Sequence, residues 1–189
     1  MLQDGRIVYT PLFSGVFWDE QNAIIEDLDR IEVISGPGGT LWGSNAVNGV
    51  INIVSRDAHE TTGLLVSGGG SDQSEALGMR YGARVGESGA FRVYGLALRR
   101  AVDEPSEWRN GQAGFRADWD TASDTFTLQG DAATAVWNGV RLMEITMTAA
   151  YDGSSKLRCE MSFMGRFYPQ LRQIGIVSNT TSPRACRLR

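Results

Sequence analysis

Apolar and polar residues alternate with a period of two over most of the chain beyond Asp57. The run from Leu77 to Val85 is representative, because its odd-numbered positions are all apolar and the intervening ones hold glycine or arginine. Such alternation is typical of β-strands whose two faces meet different surroundings. It recurs over residues 115–120, 125–131, 142–151 and 157–167. The pattern predicts about seven antiparallel strands between residues 58 and 168.

The connections between these strands are predicted to alternate in length. Tight turns are expected at residues 86–89, 121–124 and 152–155, and looser links near 71–74, 101–109 and 133–139. Short turns on one side of a sheet and longer loops on the other are typical of bacterial transmembrane β-barrels. The aromatic residues beside the tight turns would form a girdle at the membrane interface: Phe91, Trp119, Phe126 and Tyr151.

The alternation alone leaves two questions open. A soluble antiparallel sheet, with one face on a core and the other in water, carries the same pattern as a membrane barrel. Residues 90–100 are also ambiguous, because Phe91 and Val93 favour one face while apolar residues at even positions favour the other. The segment upstream of the alternating region therefore decides between the two classes of protein.

Residues 30–56 contain two strands joined by a glycine-rich turn. A charged strand at Arg30–Ile34 meets the breakers Gly36-Pro37-Gly38-Gly39, and a nearly all-apolar strand follows at Val50–Val54. Proline fixes φ and has no N–H, while glycine adopts backbone conformations that are closed to other residues. A dinucleotide-binding fingerprint is the competing interpretation, but it needs a third glycine and a full helix after the turn. Leu41 occupies the third glycine position, and Asn45, Asn48 and Gly49 break any helix.

The order of these residues resembles the C-terminal half of the plug domain of TonB-dependent outer-membrane receptors. The matching elements are Arg-Ile-Glu-Val at 30–33, the Gly36-Pro37 pair, the Trp42-Gly43 pair and Gly-Val-Ile-Asn-Ile at 49–53. Ser35 stands where the family often has arginine. The resemblance implies that the plug motif is structural, and we expect its residues to hold the turns and strands rather than to contact a ligand. The motif residues are Arg30, Glu32, Gly36, Pro37, Trp42, Gly43, Gly49 and Asn52.

The resemblance implies a fold, a location and a function. The expected fold is mainly β, a partial α/β plug followed by about seven antiparallel strands of an incomplete transmembrane β-barrel in the outer membrane. The expected divisions are residues 1–57 for the plug, 58–168 for the barrel strands and 169–189 for an irregular tail. The family takes up large nutrients such as iron–siderophore or cobalamin-type chelates and is energised by a TonB-type protein through an N-terminal box. We find no such box, and we expect the chain to be a fragment that is inactive alone.

The resemblance also implies a ligand surface on the loop between residues 9 and 21. In the family this region faces bound substrate, and exposed aromatic and acidic residues suit a bulky metal chelate. The alternative is that Phe13 and Phe17 pack inward beneath the loop. The candidate ligand-binding residues are Tyr9, Phe13, Phe17, Trp18, Asp19 and Glu20.

Composition adds few further candidates. The net charge of −4 gives no reason to expect a nucleic-acid partner. His59 is the only histidine, and the two cysteines do not form a metal-binding pattern, so no metal site or cofactor is predicted. No catalytic constellation is recognisable, so we do not expect an enzyme. A soluble plug-like module that binds a ligand or partner is the principal alternative, and a nucleotide-binding enzyme is a third.

Overall fold

The computed structural model describes residues 1–8, 15–16, 18, 21–39, 46–101, 107–137, 140–152, 157–167 and 184–188. The chain divides into two compact units, Met1–Arg56 and Asp57–Arg189. The described residues form almost entirely β-structure, arranged as one four-stranded and one eight-stranded sheet. The prediction of a mainly β fold with an antiparallel partial barrel is confirmed. Among the described residues, no helix is both long and apolar enough to cross a membrane.

The first unit contains a small mixed sheet with strand order β2-β1-β4-β3. Its strands are β1 (Leu2–Gln3), β2 (Arg6–Ile7), β3 (Leu28–Ser35) and β4 (Gly49–Ser55). β3 pairs antiparallel with β4, and β1 pairs parallel with β4. Leu2, Ala46 and Val50 form a buried cluster in this unit. A single 3-10 turn at Ile25–Asp27 immediately precedes β3.

The second unit is an antiparallel sheet whose strands follow one another in chain order. Seven strands lie in the region where about seven were predicted, and an eighth, β12, pairs with β11 in the predicted irregular tail. An edge strand pairs through backbone groups alone, so five residues can join a sheet without an alternating side-chain pattern. The strands are β5 (Gly63–Ser71), β6 (Ser74–Val85), β7 (Gly89–Ala101), β8 (Glu107–Asp120), β9 (Thr125–Trp137), β10 (Val140–Asp152), β11 (Leu157–Phe167) and β12 (Arg184–Leu188).

The links between these strands differ from the predicted alternation of tight and loose connections. β6 begins three residues after β5 ends, and β10 begins three residues after β9 ends, where looser links were expected. The prediction for these two links was wrong because small and polar residues near the strand ends, such as Ser71 and Ser74, continue the backbone ladder. Small and polar residues favour turns, but the backbone hydrogen bonds between the paired strands outweigh that preference here.

The two faces of the second sheet have opposite chemistry and opposite exposure. Large apolar side chains are exposed on one face, including Leu77 at 60%, Met79 at 55% and Met147 at 42%. The other face buries polar side chains such as Gln112 and Thr148. The ambiguous strand β7 is resolved by its register, which pairs Val93 with Tyr81 and with Phe115. Val93 therefore lies on the exposed apolar face, and the even-numbered residues of β7 lie on the polar face.

Candidate functional site

Three residues of the predicted plug motif come together across β3 and β4. Glu32 pairs directly with Asn52 in the strand register, and its Oε2 accepts a hydrogen bond of 2.9 Å from Asn52 Nδ2. Its Oε1 accepts a bond of 2.7 Å from Arg30 Nε. Arg30 also forms a salt bridge with the carboxylate of the preceding residue, Asp29. The charged residues that precede the glycine turn thus form one chain of hydrogen bonds along the strand.

The hydrogen bonds change the acidity of Glu32. The bond from Asn52, followed by the bond from Arg30, holds the pKa of Glu32 below its ordinary value. A depressed carboxyl pKa means that the folded state favours the ionised form. The contact therefore stabilises the strand pair at neutral pH, and this contribution is lost as the pH falls below the ordinary pKa of glutamate and through the lowered one. Because the group is exposed, solvent screening keeps the contribution small.

The glycine turn between β3 and β4 is closed by backbone hydrogen bonds. The N–H of Gly36 donates to the carbonyl of Asn48 at 3.0 Å, and the N–H of Gly38 donates to that of Ala46 at 2.8 Å. Gly36 has φ of +108° and Gly49 has φ of +157°, a region that other residues rarely adopt. A Cβ on Gly49 would also lie 2.6 Å from the carbonyl oxygen of Ile34. Trp42 and Gly43 lie outside the described residues, and Pro37 is exposed.

We expect Gly49→Ala to weaken the β3–β4 pair by about 2 kcal/mol, because it adds backbone strain and a clash with Ile34. Hydrogen exchange of the β4 amides, followed by mass spectrometry, should show a loss of protection of roughly thirty-fold, the equivalent of that energy. Gly39→Ala is the matched control, since a Cβ on Gly39 meets nothing within 4 Å. Equal protection in the two variants would contradict a structural role for Gly49.

A contact that sequence analysis did not identify joins the turn between β1 and β2 to the end of β4. Asp4 lies in the turn between β1 and β2 with φ of +49°. Its carboxylate accepts hydrogen bonds from the N–H of Ser55 at 2.7 Å and from the Ser55 hydroxyl at 2.9 Å. The Asp4-Gly5 pair was recognisable as a turn, but a bond to a residue fifty-one positions away has no local signal.

The candidate ligand loop is described only in part. Trp18 is 61% exposed, as a ligand-contacting aromatic residue would be. The remaining candidates lie outside the described residues, so their role stays a prediction. They are Tyr9, Phe13, Phe17, Asp19 and Glu20.

Residues 57–61, at the start of the second unit, are anchored to the polar face of its sheet. Asp118 of β8 is 1% exposed, and its Oδ2 accepts a hydrogen bond of 2.9 Å from the N–H of Ala58. The same carboxylate accepts bonds of 2.7 Å from Arg116 Nε and from the hydroxyl of Thr127. A buried carboxylate with a charged partner and two further donors is well satisfied. Asp118 is therefore the centre of what we name the strand anchor, residues 57–61 with Arg80, Arg116, Asp118 and Thr127.

Further contacts extend the strand anchor toward β6. A guanidinium nitrogen of Arg80 donates a hydrogen bond to the carbonyl oxygen of Thr61, which is itself buried. A Cβ on the neighbouring Gly82 would collide with that carbonyl, so glycine permits the close approach. His59 Nε2 lies 3.3 Å from Asp120 Oδ2 at the end of β8. Residues 57–61 are thus held against β6 and β8, which are separated in the sheet by β7.

The exposed face of the second sheet carries a row of aromatic residues at the end with the tight turns. Trp119 pairs with Phe126, and Phe126 pairs with Tyr151, so the three lie at one level on neighbouring strands. The rings of Trp119 and Phe126 are 5.7 Å apart between centroids. The hydroxyl of Tyr151 donates to Asp124 Oδ1 at 2.8 Å and helps to hold the pKa of Asp124 below its ordinary value. Amphipathic aromatic residues of this kind favour a membrane interface.

Comparisons with known proteins place these features in one class. No protein-family model matches the chain. The vitamin B12 transporter of Vibrio vulnificus is 51% identical over 51 residues, which cover 26% of this chain and 8% of the transporter. The iron-regulated outer membrane virulence protein of Vibrio cholerae is 34% identical over 87 residues, which cover 42% of this chain and 13% of that protein. The chain thus spans a small part of the length of these relatives.

Solved structures show the same fold over most of the chain. The siderophore receptor PirA of Pseudomonas aeruginosa matches with a TM-score of 0.67 at 19% identity, over 88% of this chain and 33% of the receptor. A ferric enterobactin receptor of the same organism, solved with enterobactin, matches with a TM-score of 0.59 over 87% of this chain and 32% of the receptor, at 14% identity.

The local sequence matches and the shared fold point to one class of protein: this chain resembles part of a TonB-dependent outer-membrane receptor. Its relatives are transport receptors and not enzymes, and they include vitamin B12 transporters. Siderophore receptors are among the solved structures that share its fold. The recognition made from the plug motif and the predicted outer-membrane location are both confirmed.

Proposed function

We propose that this chain supplies the C-terminal half of the plug and the first barrel strands of a receptor that takes up a large nutrient. An iron–siderophore or a cobalamin-type chelate is the proposed ligand class, because relatives and structural neighbours carry names of both kinds. A TonB-type protein is the proposed energising partner, since the chain resembles the TonB-dependent class. Within this function, the loop containing Trp18 contacts the ligand and the motif around Gly36 and Gly49 shapes the plug.

The observation that carries the proposal is the arrangement of the second sheet, with apolar side chains outside and polar side chains buried. A soluble antiparallel sheet turns its apolar face to a core. In this sheet Leu64, Val66 and Leu77 are all at least 59% exposed. A continuous apolar surface of this kind is typical of the lipid-facing side of an outer-membrane barrel. The soluble binding-module alternative is therefore disfavoured.

The open edges of the sheet support the proposal that the chain does not transport alone. Among the described residues, β5 pairs only with β6 and β12 pairs only with β11. Unpaired backbone groups at a sheet edge cannot be satisfied in hydrocarbon, which is why membrane barrels are closed. A receptor of this class encloses its plug with about 22 strands. We infer that the chain acts only when further strands complete the barrel.

A chimera tests the proposal. In the Vibrio vulnificus vitamin B12 transporter, the 51 matched residues are replaced by those of this chain, and the product is expressed in cells that lack a B12 transporter. We expect growth on limiting vitamin B12 to approach that of the parent transporter. The 189-residue chain expressed alone should give no growth above an empty vector. A chimera that reaches the outer membrane in normal amounts but gives no growth would contradict the proposal, as would growth with the chain alone.

A further inference from the structure

A row of charged residues crosses the exposed apolar face at the end opposite the aromatic row. Glu75 pairs with Arg99, and Arg99 pairs with Arg109. Val136 continues the row, because it pairs with Arg109 on one side and with Arg141 on the other. Five neighbouring strands thus contribute one residue each to one line of register across the sheet, and three of the five are arginines. We name Arg99, Arg109 and Arg141 the arginine row.

The side chains of the arginine row are exposed on the same face as the lipid-facing apolar residues. Arg99 Nη1 lies 3.6 Å from Glu75 Oε2, so an acid stands beside the first arginine of the row. A depression of about 580 Å³ lies at this level, and Glu75, Leu77, Arg99 and Arg109 are among the residues that line it. The depression therefore combines cationic groups with an apolar floor.

The distance between the two rows matches the thickness of a membrane. On β8, β9 and β10 the charged row and the aromatic row are ten positions apart, as from Arg109 to Trp119. Ten residues of strand span about 33 Å. Strands tilted by 35–45° would place the rows roughly 23–27 Å apart along the membrane normal, close to the apolar band of about 25 Å in such barrels.

No charged side chain lies on this face between the two rows on β6 to β10. The intervening positions hold apolar residues, glycine and one threonine. They are Leu77, Met79, Tyr81 and Ala83 on β6; Phe91, Val93, Gly95 and Ala97 on β7; Gly111, Ala113, Phe115 and Ala117 on β8; Leu128, Gly130, Ala132 and Thr134 on β9; and Met143, Ile145, Met147 and Ala149 on β10. The arginine row is thus the first charge met on leaving the band, at the level of the lipid headgroups.

We propose that the arginine row binds the phosphate group of a membrane lipid whose acyl chains lie along the apolar face beneath it. The inference rests on the outer-membrane placement and adds a specific lipid site to it. A guanidinium offers paired N–H donors that match a phosphate, and Arg99 and Arg109 lie on adjacent strands, about 5 Å apart across the sheet. Leu77 and Ala97, the next residues toward the band, lie where the acyl chains begin.

Lipid selectivity measured by electron spin resonance tests the proposal. Residues 58–167 are placed in a complete receptor barrel, because the open edges of the chain alone are unsatisfied in hydrocarbon. This barrel is reconstituted into phosphatidylcholine vesicles that contain a trace of spin-labelled phosphatidic acid or spin-labelled phosphatidylcholine. The fraction of label immobilised at the protein surface gives the preference for each lipid. We expect phosphatidic acid to be preferred several-fold, and each arginine to contribute up to about five-fold at the site.

The variants separate the arginine row from general effects of charge. The triple variant Arg99→Gln, Arg109→Gln, Arg141→Gln should show no preference between the two lipids. Glu75→Gln should raise the preference for phosphatidic acid, because it removes the acid beside Arg99. Arg100→Gln is the matched control, since Arg100 is the next residue along β7 but lies on the other face, with its guanidinium 5.6 Å from the ring of Trp108. This control should leave the preference unchanged.

The possible failures are distinguishable. Immobilised phosphatidylcholine without any preference for phosphatidic acid would overturn the lipid site while leaving the membrane placement intact. A preference that survives the triple variant, or that falls equally with Arg100→Gln, would also overturn the site. Absence of immobilised lipid of either kind would show that the apolar face does not contact lipid, and it would contradict the proposed function itself.

Discussion

Replacing Asp118 by alanine should release residues 57–61 from the sheet. The substitution leaves Arg116 without its buried carboxylate and the N–H of Ala58 without its acceptor. Breaking a buried pair in this way typically costs 3–5 kcal/mol, because the remaining charge stays in a poorly solvated position. Limited trypsin digestion in detergent provides the measurement, since the exposed Arg56 immediately precedes the anchored residues. We expect cleavage after Arg56 to be at least about ten-fold faster in the variant.

Two further variants test whether the faster cleavage after Arg56 is caused by the loss of the Asp118 carboxylate. Asp72→Ala alters an exposed aspartate in the link between β5 and β6 and should leave cleavage after Arg56 at the wild-type rate. Asp118→Asn keeps one oxygen acceptor but removes the charge, and it should give an intermediate rate. If Asp118→Ala is cleaved no faster than the wild-type chain, residues 57–61 are held mainly by Arg80, and Asp118 is not the centre of the strand anchor.

Replacing Met79 by arginine should destabilise the sheet in lipid by about 2–4 kcal/mol, the usual cost of an arginine on the lipid face near the middle of the membrane. Met79 is 55% exposed and lies in the middle of the uncharged band. For the measurement, residues 58–167 are placed in a complete receptor barrel, because the open edges of the isolated sheet are unsatisfied in hydrocarbon. The midpoint of guanidinium denaturation of that barrel in phosphatidylcholine vesicles, followed by tryptophan fluorescence, gives the change in the free energy of unfolding.

The matched control is Leu96→Arg, at nearly the same depth on the neighbouring strand but on the polar face. Met79 pairs with Gly95, which places Leu96 one residue further along β7. Leu96 is half-buried, so a soluble sheet would tolerate arginine better at the exposed Met79. In a membrane sheet the order is reversed, because the exposed face meets lipid and the polar face accommodates charge. A larger cost at Leu96 than at Met79 would show that the exposed face is solvated by water.

The sequence was sufficient to predict the features that depend on local pattern. The strands around the glycine turn follow from the breakers at Gly36 and Pro37, and the resemblance of residues 30–53 identified the class of receptor. Five of the seven strands in this region, β6 and β8 to β11, follow from the period of two, which is strong because one face must be apolar throughout. The aromatic row was also recognisable, because Trp119 and Phe126 flank one predicted turn.

Features that depend on register or on distant contacts were not predictable. The face of β7 was ambiguous because Leu96 and Leu98 are apolar on the polar side, and only pairing with β6 and β8 decides it. The arginine row requires the register of five strands, since Arg99, Arg109 and Arg141 have no common spacing in the sequence. Asp118 looked like any polar residue of an alternating strand, and nothing near it signals its bond to Ala58.

The strand anchor has a consequence for the order in which the chain assembles. Every neighbouring pair in the second sheet is consecutive in sequence, so each hairpin from β5 to β11 forms by closing a short loop. The bond between Ala58 and Asp118, by contrast, joins residues sixty positions apart. It can form only when β8 is in place, because Asp118 lies at the far end of that strand. Residues 57–61 therefore become ordered late in folding. Their ordering follows the pairing of the first four strands of the sheet, β5 to β8, in their final register.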